Sequence, residues 1–375
     1  MIYENIIKTE NKQSNRNRIY QLVYLQGKIS KPDIATQLGI SLPTALQNVK
    51  ELQAEGLLQE GSPLQSTGGR RAVAVTCTSN ARYSIGIDIT RNHVRIVIIN
   101  LMAEIVSSLR IQKIFQNTTD YFSELGNLVD GLIKDSKINP ELLLGVGFSV
   151  PGVISSDGLL LVYSHVLNVS GLQCSQMKRY LPFPAMLCND ANAAGYAEMW
   201  SDRNNSNALY LALSNSVGGA IILNNDLYSG ENQRAGEFGH MTLVRDGLPC
   251  YCGRNGCMDS YCSAQVLSQH TDGNLDLFFQ KLRDGDIKIQ NVWKEYLEWL
   301  AMAINNLTVS LDCKVILGGY LGSYFEEYLN DLRRLTADIS TFDADSEHIN
   351  VCKYKHDAAA VGAALLFVRP FIEQI

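Results

Sequence analysis

The 375-residue chain has no apolar run suited to a bilayer. Its longest uncharged stretch, Asn204 to Asn225, is broken by Ser206, Asn207, Ser214, Asn215 and Ser216, which are costly in lipid, so no membrane insertion is expected. The opening Met1-Ile2-Tyr3-Glu4 lacks a basic n-region, an apolar core and a small-residue cleavage site, which predicts a cytoplasmic protein. Charge is sparse, at 19% against 46% hydrophobic residues, which excludes a disordered, collagen-like or coiled-coil chain. Nine cysteines make an odd set for a disulfide scaffold and fit reduced thiols. The length is roughly two to three times that of a typical domain, so several folding units are expected.

The net charge of −6 is unevenly spread. Residues 1–80 carry nine Lys/Arg against six Asp/Glu, giving +3, and the remainder carries −9. Within the basic segment the chain reads as three short helices. Ser14 caps one with Ile19, Leu22 and Val23 on one face, closed by Gly27. Ser30 and Asp33 open a second, carrying Ile34 and Leu38 and ended by Gly39. Ser41 caps a third, with Leu46, Val49 and Leu52 expected inward, Thr44, Gln47 and Asn48 on the opposite face and Lys50 on the flank. This is helix-turn-helix grammar. A Gly/Ser/Pro/Thr stretch then ends in Arg70-Arg71 before an alternating strand from Ala72 to Cys77, predicting a hairpin wing with a basic tip. The amides of Gln47 and Asn48 suit adenine edges, and Arg70 and Arg71 suit a narrow minor groove or phosphates. A helical docking module with a solvated basic loop is the alternative.

From Tyr83 short apolar strands take over: Tyr83 to Thr90, His93 to Asn100 and Glu104 to Ile111. A weaker echo of this strand-turn-strand plan runs through Leu209 to Leu213 and Gly219 to Leu223, with helical stretches after each copy. The pattern predicts a duplicated α/β unit with a cleft between two lobes. The domain expectation is 1–80 for the DNA-binding head, 81–200 for lobe 1 and 201–375 for lobe 2.

His240, Cys250, Cys252 and Cys257 form H-x9-C-x-C-x4-C within 18 residues. Three thiolates and one imidazole complete a tetrahedral shell with no open position, so a structural Zn(2+) is expected; unligated buried cysteines are the alternative. A second cluster, Cys188-Asn189-Asp190-Ala191-Asn192, ends a strand and begins a helix. Its amide and carboxylate suit vicinal sugar hydroxyls, and equally suit a plain helix cap.

These motifs, with Gly147 to Gly152, Ala235-Gly236-Glu237-Phe238-Gly239-His240 and Cys250-Tyr251-Cys252-Gly253-Arg254-Asn255-Gly256-Cys257, resemble the ROK family (repressors, open reading frames and sugar kinases). The likeness spans nearly the whole chain and, with its head, points to the repressor-like branch. It implies an α/β architecture: a winged helix-turn-helix followed by an actin-like ATPase body of two ribonuclease-H-like lobes. It also implies a sugar site of Asn189, Asp190, Glu237 and His240, with Asn168 a lesser candidate and Asp259 where the family usually has Glu. In that reading His240 serves twice, one ring nitrogen on zinc and the other toward the sugar.

The departures fall on the nucleotide side. Where family kinases carry Gly-Ile-Asp-Ile-Gly-Gly-Thr, this chain has Gly86-Ile87-Asp88-Ile89-Thr90-Arg91-Asn92, and the second phosphate loop reads Ser214-Asn215-Ser216-Val217-Gly218-Gly219-Ala220. Gly318-Gly319 survives. The leading expectation is therefore a dimeric or tetrameric regulator, most simply a repressor, that binds double-stranded operator DNA and answers to a monosaccharide or sugar derivative. The alternatives are an ATP-dependent sugar kinase with a DNA-binding appendage, in which Asp190 is the base, and regulation by docking to a protein partner.

Overall fold

The computed structural model describes residues 15–63, 73–202, 205–342 and 345–375. Three helices open it, α1 (Asn15–Gln26), α2 (Lys31–Leu38) and α3 (Leu42–Ala54). Ser30 and Ser41 each accept an amide three residues on, from Asp33 and Thr44, and cap α2 and α3. Gly39 adopts φ 64° and closes α2, and the following Ile40 amide bonds back to Ala35, so the turn is fixed locally. Strands β1 (Ile29–Ser30), β2 (Leu58–Pro63) and β3 (Val73–Cys77) form a small sheet in which β2 and β3 are the two legs of the wing. Ser14, Arg70 and Arg71, with the wing tip, lie outside the described residues.

The helical face of α3 differs from the sequence reading. Ala45, Val49 and Leu52 are fully buried, whereas Leu46 is 44% exposed beside Leu42. Steps of four and three residues through Val49 define the buried stripe, and they select Ala45 over Leu46. Each large apolar side chain that is enclosed, such as Ile19, Leu22 and Val23 of α1, contributes roughly 1.5–3 kcal/mol.

The body is built twice on one plan. In the first sheet, β4 (Tyr83–Ile89) has β5 (His93–Asn100) and β6 (Ile105–Gln112) antiparallel on one side. On its other side run β7 (Leu143–Val150) and β11 (Ala185–Asn189), both parallel. In the second, β12 (Ala208–Leu213) has β13 (Val217–Leu223) and β14 (Asp226–Leu227) on the antiparallel side and β15 (Lys314–Gly318) and β16 (Ile349–Val351) on the parallel side. The echo heard in the sequence is thus a repeat of topology. A small sheet of β8 (Val153–Ile154), β9 (Leu160–Ser164) and β10 (Val169–Gln173) hangs from the first lobe.

Helix α4 (Thr119–Asp135) covers the outer face of the first sheet, and α6 (Ile287–Leu311) with α7 (Phe325–Ile339) covers that of the second. Between the sheets lie α5 (Asp190–Ser201) and α8 (Ala358–Gln374). The chain exchanges them: α5 leaves the first sheet and packs on β12 and β13, while α8 follows the second sheet and packs on β4 and β7. The last helix of the chain thus packs on the first sheet. Glycines permit this close layering. A Cβ at Gly86 would lie 1.7 Å from the Ala360 carbonyl, and one at Gly362 would lie 1.7 Å from that of Ala193.

The head is seated on this inner layer. Asn17 Nδ2 donates to the Ile372 carbonyl of α8 at 3.3 Å, and Tyr24 OH donates to the Leu101 carbonyl at 3.0 Å. Head and body residues share one apolar cluster, joining Ile19, Tyr20 and Val23 to Val368 and Ile372. Among the described residues no helix is long and apolar enough to cross a membrane.

Candidate functional site

The ends of β4 and β11 and the start of α5 converge on the cleft. Asn189 is anchored at both ends of its amide, with a second lone pair and a second N–H left over: Oδ1 accepts the Asn192 amide at 3.0 Å as the cap of α5, and Nδ2 donates to the Gly152 carbonyl at 3.1 Å. That double anchorage aims the next residue, Asp190, whose Oδ1 accepts the Ala191 amide at 2.9 Å. Burial, with the charge of Glu237 nearby, pushes the Asp190 carboxyl up to about 6. Beside it Asp88, bonded by Ser149 Oγ at 2.8 Å, is pushed to about 7, first by burial and then by Asp190 itself. Two neighbouring carboxyls, one raised by the charge of the other, thus favour holding protons that a free carboxyl would have lost.

From the other lobe come Glu237, His240 and Asp259. Glu237 is exposed and acts electrostatically on Asp190. Asp259 is 7% exposed and close enough to feel His240, but its Oδ1 accepts the Val217 amide at 2.6 Å, so half of the carboxylate already serves the second loop. Asn168 stands at φ 52° in the turn between β9 and β10. There, with Tyr163, Ser164, His165, Val169 and Ser170, it lines an open depression of about 450 Å³.

The four metal-type ligands do come together. The ligand atoms of His240, Cys250, Cys252 and Cys257 all lie within 4.8 Å of one another. Cys252 and Cys257 Sγ are 3.7 Å apart, and Cys250 Sγ is 4.0 Å from His240 Nδ1. A tetrahedron with metal–sulfur distances of about 2.3 Å has edges of about 3.8 Å, so the donor set fits a four-coordinate metal of this size. The knuckle is folded by its own backbone: Gly253 and Gly256 sit at φ 85° and 80°, and the Cys250 amide bonds to the Arg254 carbonyl at 2.8 Å. With Nδ1 facing Cys250 Sγ, His240 Nε2 lies 3.4 Å from Tyr251 OH.

On the nucleotide side four backbone amides of the two loops are already bonded within the chain. In the first hairpin the Thr90 and His93 amides close on the His93 carbonyl and on Thr90 Oγ1. In the second loop the Ser214 amide is held by neighbouring carbonyls and the Val217 amide by Asp259. Tyr320, which follows Gly318-Gly319, reaches Thr90 and lies within electrostatic range of Asp88 and Asp190. Its backbone amide donates to Ser214 Oγ at 3.3 Å, so Tyr320 touches both loops.

A model described as ROK family matches residues 84–369, and one described as winged helix-turn-helix DNA-binding matches residues 13–59. The chain belongs to the ROK family. This ROK protein is 25% identical over 375 residues to a xylose repressor of Bacillus subtilis (strain 168), covering 97% of each chain. It is 26% identical to a glucokinase of Halalkalibacterium halodurans, covering 76% of this chain and 94% of the kinase. Among solved structures, a ROK family transcriptional regulator, homolog of E. coli MLC protein, superposes with a TM-score of 0.75 at 18% identity, over 99% of this chain and 98% of that one. The ROK body is thus the α/β two-lobed architecture expected, with the winged helix-turn-helix at its N-terminus.

In the ROK head, Gln47 and Lys50 are exposed on α3, with Gln47 Nε2 donating to Glu51 at 2.7 Å. Thr44 and Asn48 are half-buried and turned to local bonds, Asn48 Nδ2 donating to the Thr44 carbonyl at 2.8 Å. Sequence reasoning passed over Asp88, Tyr251, His165 and Tyr320. Tyr251 stood inside the C-x-C pair, where attention goes to the thiols, and Tyr320 directly after a conspicuous Gly-Gly.

Proposed function

We propose that this ROK protein is a sugar-responsive transcriptional repressor that binds operator DNA as a homodimer or higher oligomer. The observation that carries the reading is the path from cleft to head. Helix α5 begins at Asp190, in the sugar-type site, and carries in its last turn Trp200, whose Nε1 donates to Tyr24 OH on the first helix of the DNA-binding domain. Twelve helical residues span about 18 Å as one rigid element, so a ligand that shifts Asp190 shifts the seat of the head. A sugar need only bind one lobe arrangement better than the other to bias operator binding.

Asn189, Asp190, Glu237 and His240 are the effector ligands in this reading, with Asn168 and Asp259 at its margin. Relatives named xylose repressor make D-xylose the first effector to test. Zn(2+) at His240, Cys250, Cys252 and Cys257 would hold the second-lobe knuckle and fix the tautomer of His240, leaving Nε2 for a sugar hydroxyl. Asp190 is then a binding carboxylate. Thr44, Gln47, Asn48 and Lys50 face the operator in this reading, with Arg70 and Arg71, from the segment that joins β2 to β3, as further DNA contacts. The loop amides already held within the chain, and the contacts of Tyr320 with both loops, support a body without kinase turnover. A coupled ADP-release assay with D-xylose and D-glucose tests this: turnover abolished by Asp190→Asn would instead establish a kinase, the activity of the glucokinase relative.

A further inference from the structure

Tyr251 stands between two metal-type cysteines, yet its ring reaches the opposite lobe. Its centroid lies 5.4 Å from that of His240 on one side and 6.5 Å from that of His165 on the other. His165 in turn packs edge-on against Tyr163 at 5.2 Å, so four rings form a file that links the two lobes. The depression lined by Tyr163, His165 and Asn168 opens beside this file, and Tyr251 itself remains 55% exposed there. The contact between Tyr251 OH and His240 Nε2, at 3.4 Å, is long for a hydrogen bond with a hydroxyl and is easily exchanged for a shorter one.

A sugar ring has a rim of hydroxyls and an apolar C–H face. Asn189, Asp190, Glu237 and His240 supply polar groups for the rim and nothing for the face, whereas small-molecule sites usually set a few polar groups against aromatic walls. We propose that Tyr251 and His165 are effector-contacting residues, a two-lobed aromatic wall for the C–H face of a monosaccharide, and that Tyr251 yields His240 Nε2 to a sugar hydroxyl as the ligand enters. This rests on the sugar-effector reading above. One ring comes from each lobe, so occupancy of the wall ties ligand binding to lobe spacing.

Calorimetric titration of the full chain with D-xylose and D-glucose tests it, comparing wild type with Tyr251→Ala, Tyr251→Phe and His165→Ala, with metal content measured for each. The ring-removing variants are expected to weaken the bound sugar about tenfold or more, while Tyr251→Phe stays within about threefold. Affinities within about twofold of wild type for both Tyr251→Ala and His165→Ala would overturn the proposal while leaving the effector reading intact. Should Tyr251→Ala lose its metal, His165→Ala, on the other lobe, decides alone. A wild-type chain that binds neither of these sugars nor any other aldose overturns the effector reading and this proposal with it.

Discussion

Trp200 Nε1 donates to Tyr24 OH at 3.1 Å, and the same hydroxyl donates onward to the Leu101 carbonyl. One residue lies in the last turn of the helix that begins in the cleft, and the other belongs to the DNA-binding head. Trp200→Phe keeps an aromatic ring in the cluster and removes only the donor. We expect sugar affinity and sugar-free DNA affinity to change little, while the coupling between them, typically about 1–3 kcal/mol, falls by about 0.5–1.5 kcal/mol. Sugar titrations with and without bound DNA measure it; unchanged coupling would show that the signal travels elsewhere.

Asp190 and Asp88 titrate higher in the folded chain, about 6 and about 7, than free carboxyls do. Between roughly pH 4 and 7 the folded state therefore holds more protons than the unfolded one, and the stability these groups allow falls as pH rises through that window. Asp190→Asn is expected to be more stable than wild type by about 1–3 kcal/mol at pH 8 and by roughly half that at pH 5. Denaturant unfolding at both values checks the sign.

The four-ligand cluster should behave as a structural centre. We expect about one zinc per chain by elemental analysis, and a fall in Tm of roughly 5 °C or more on chelation. Cys257→Ser, at a position only 1% exposed, should purify without the metal and with lowered thermal stability.

On α3, Lys50→Ala should lower the slope of log affinity against log salt by about one and weaken all sequences alike. Gln47→Ala should cost about 1–3 kcal/mol on the preferred operator only. Leu46→Ala should leave stability within about 0.5 kcal/mol, because the side chain is exposed, and any loss of operator affinity would then report a contact with DNA.

Local chemistry made part of this molecule legible in its sequence. The Ser30 and Ser41 caps, the Gly39 turn, the strand-turn-strand repeat and the H-x9-C-x-C-x4-C knuckle are all set within a few residues, and each is found in the fold. What escaped depends on distant partners. Nothing near Ala358 reveals that α8 returns to the first sheet, although a helix carrying buried Ala360, Val361, Gly362, Ala363, Ala364 and Leu365 in succession must be covered on several sides. Leu46 was misjudged because helical spacing alone leaves two neighbouring stripes available. The roles of Tyr320 and His165 exist only across the cleft, where one lobe supplies each half of the contact.

The central claim is most directly tested by fluorescence anisotropy of the full chain on labelled duplex DNA from upstream of its own gene, at fixed salt, with and without D-xylose and a panel of other aldoses. The account predicts salt-sensitive binding that one sugar changes by about tenfold or more, with the response lost and DNA binding kept in Asp190→Ala. DNA affinity that no sugar alters, alongside ATP-dependent phosphorylation of one of them, would contradict it.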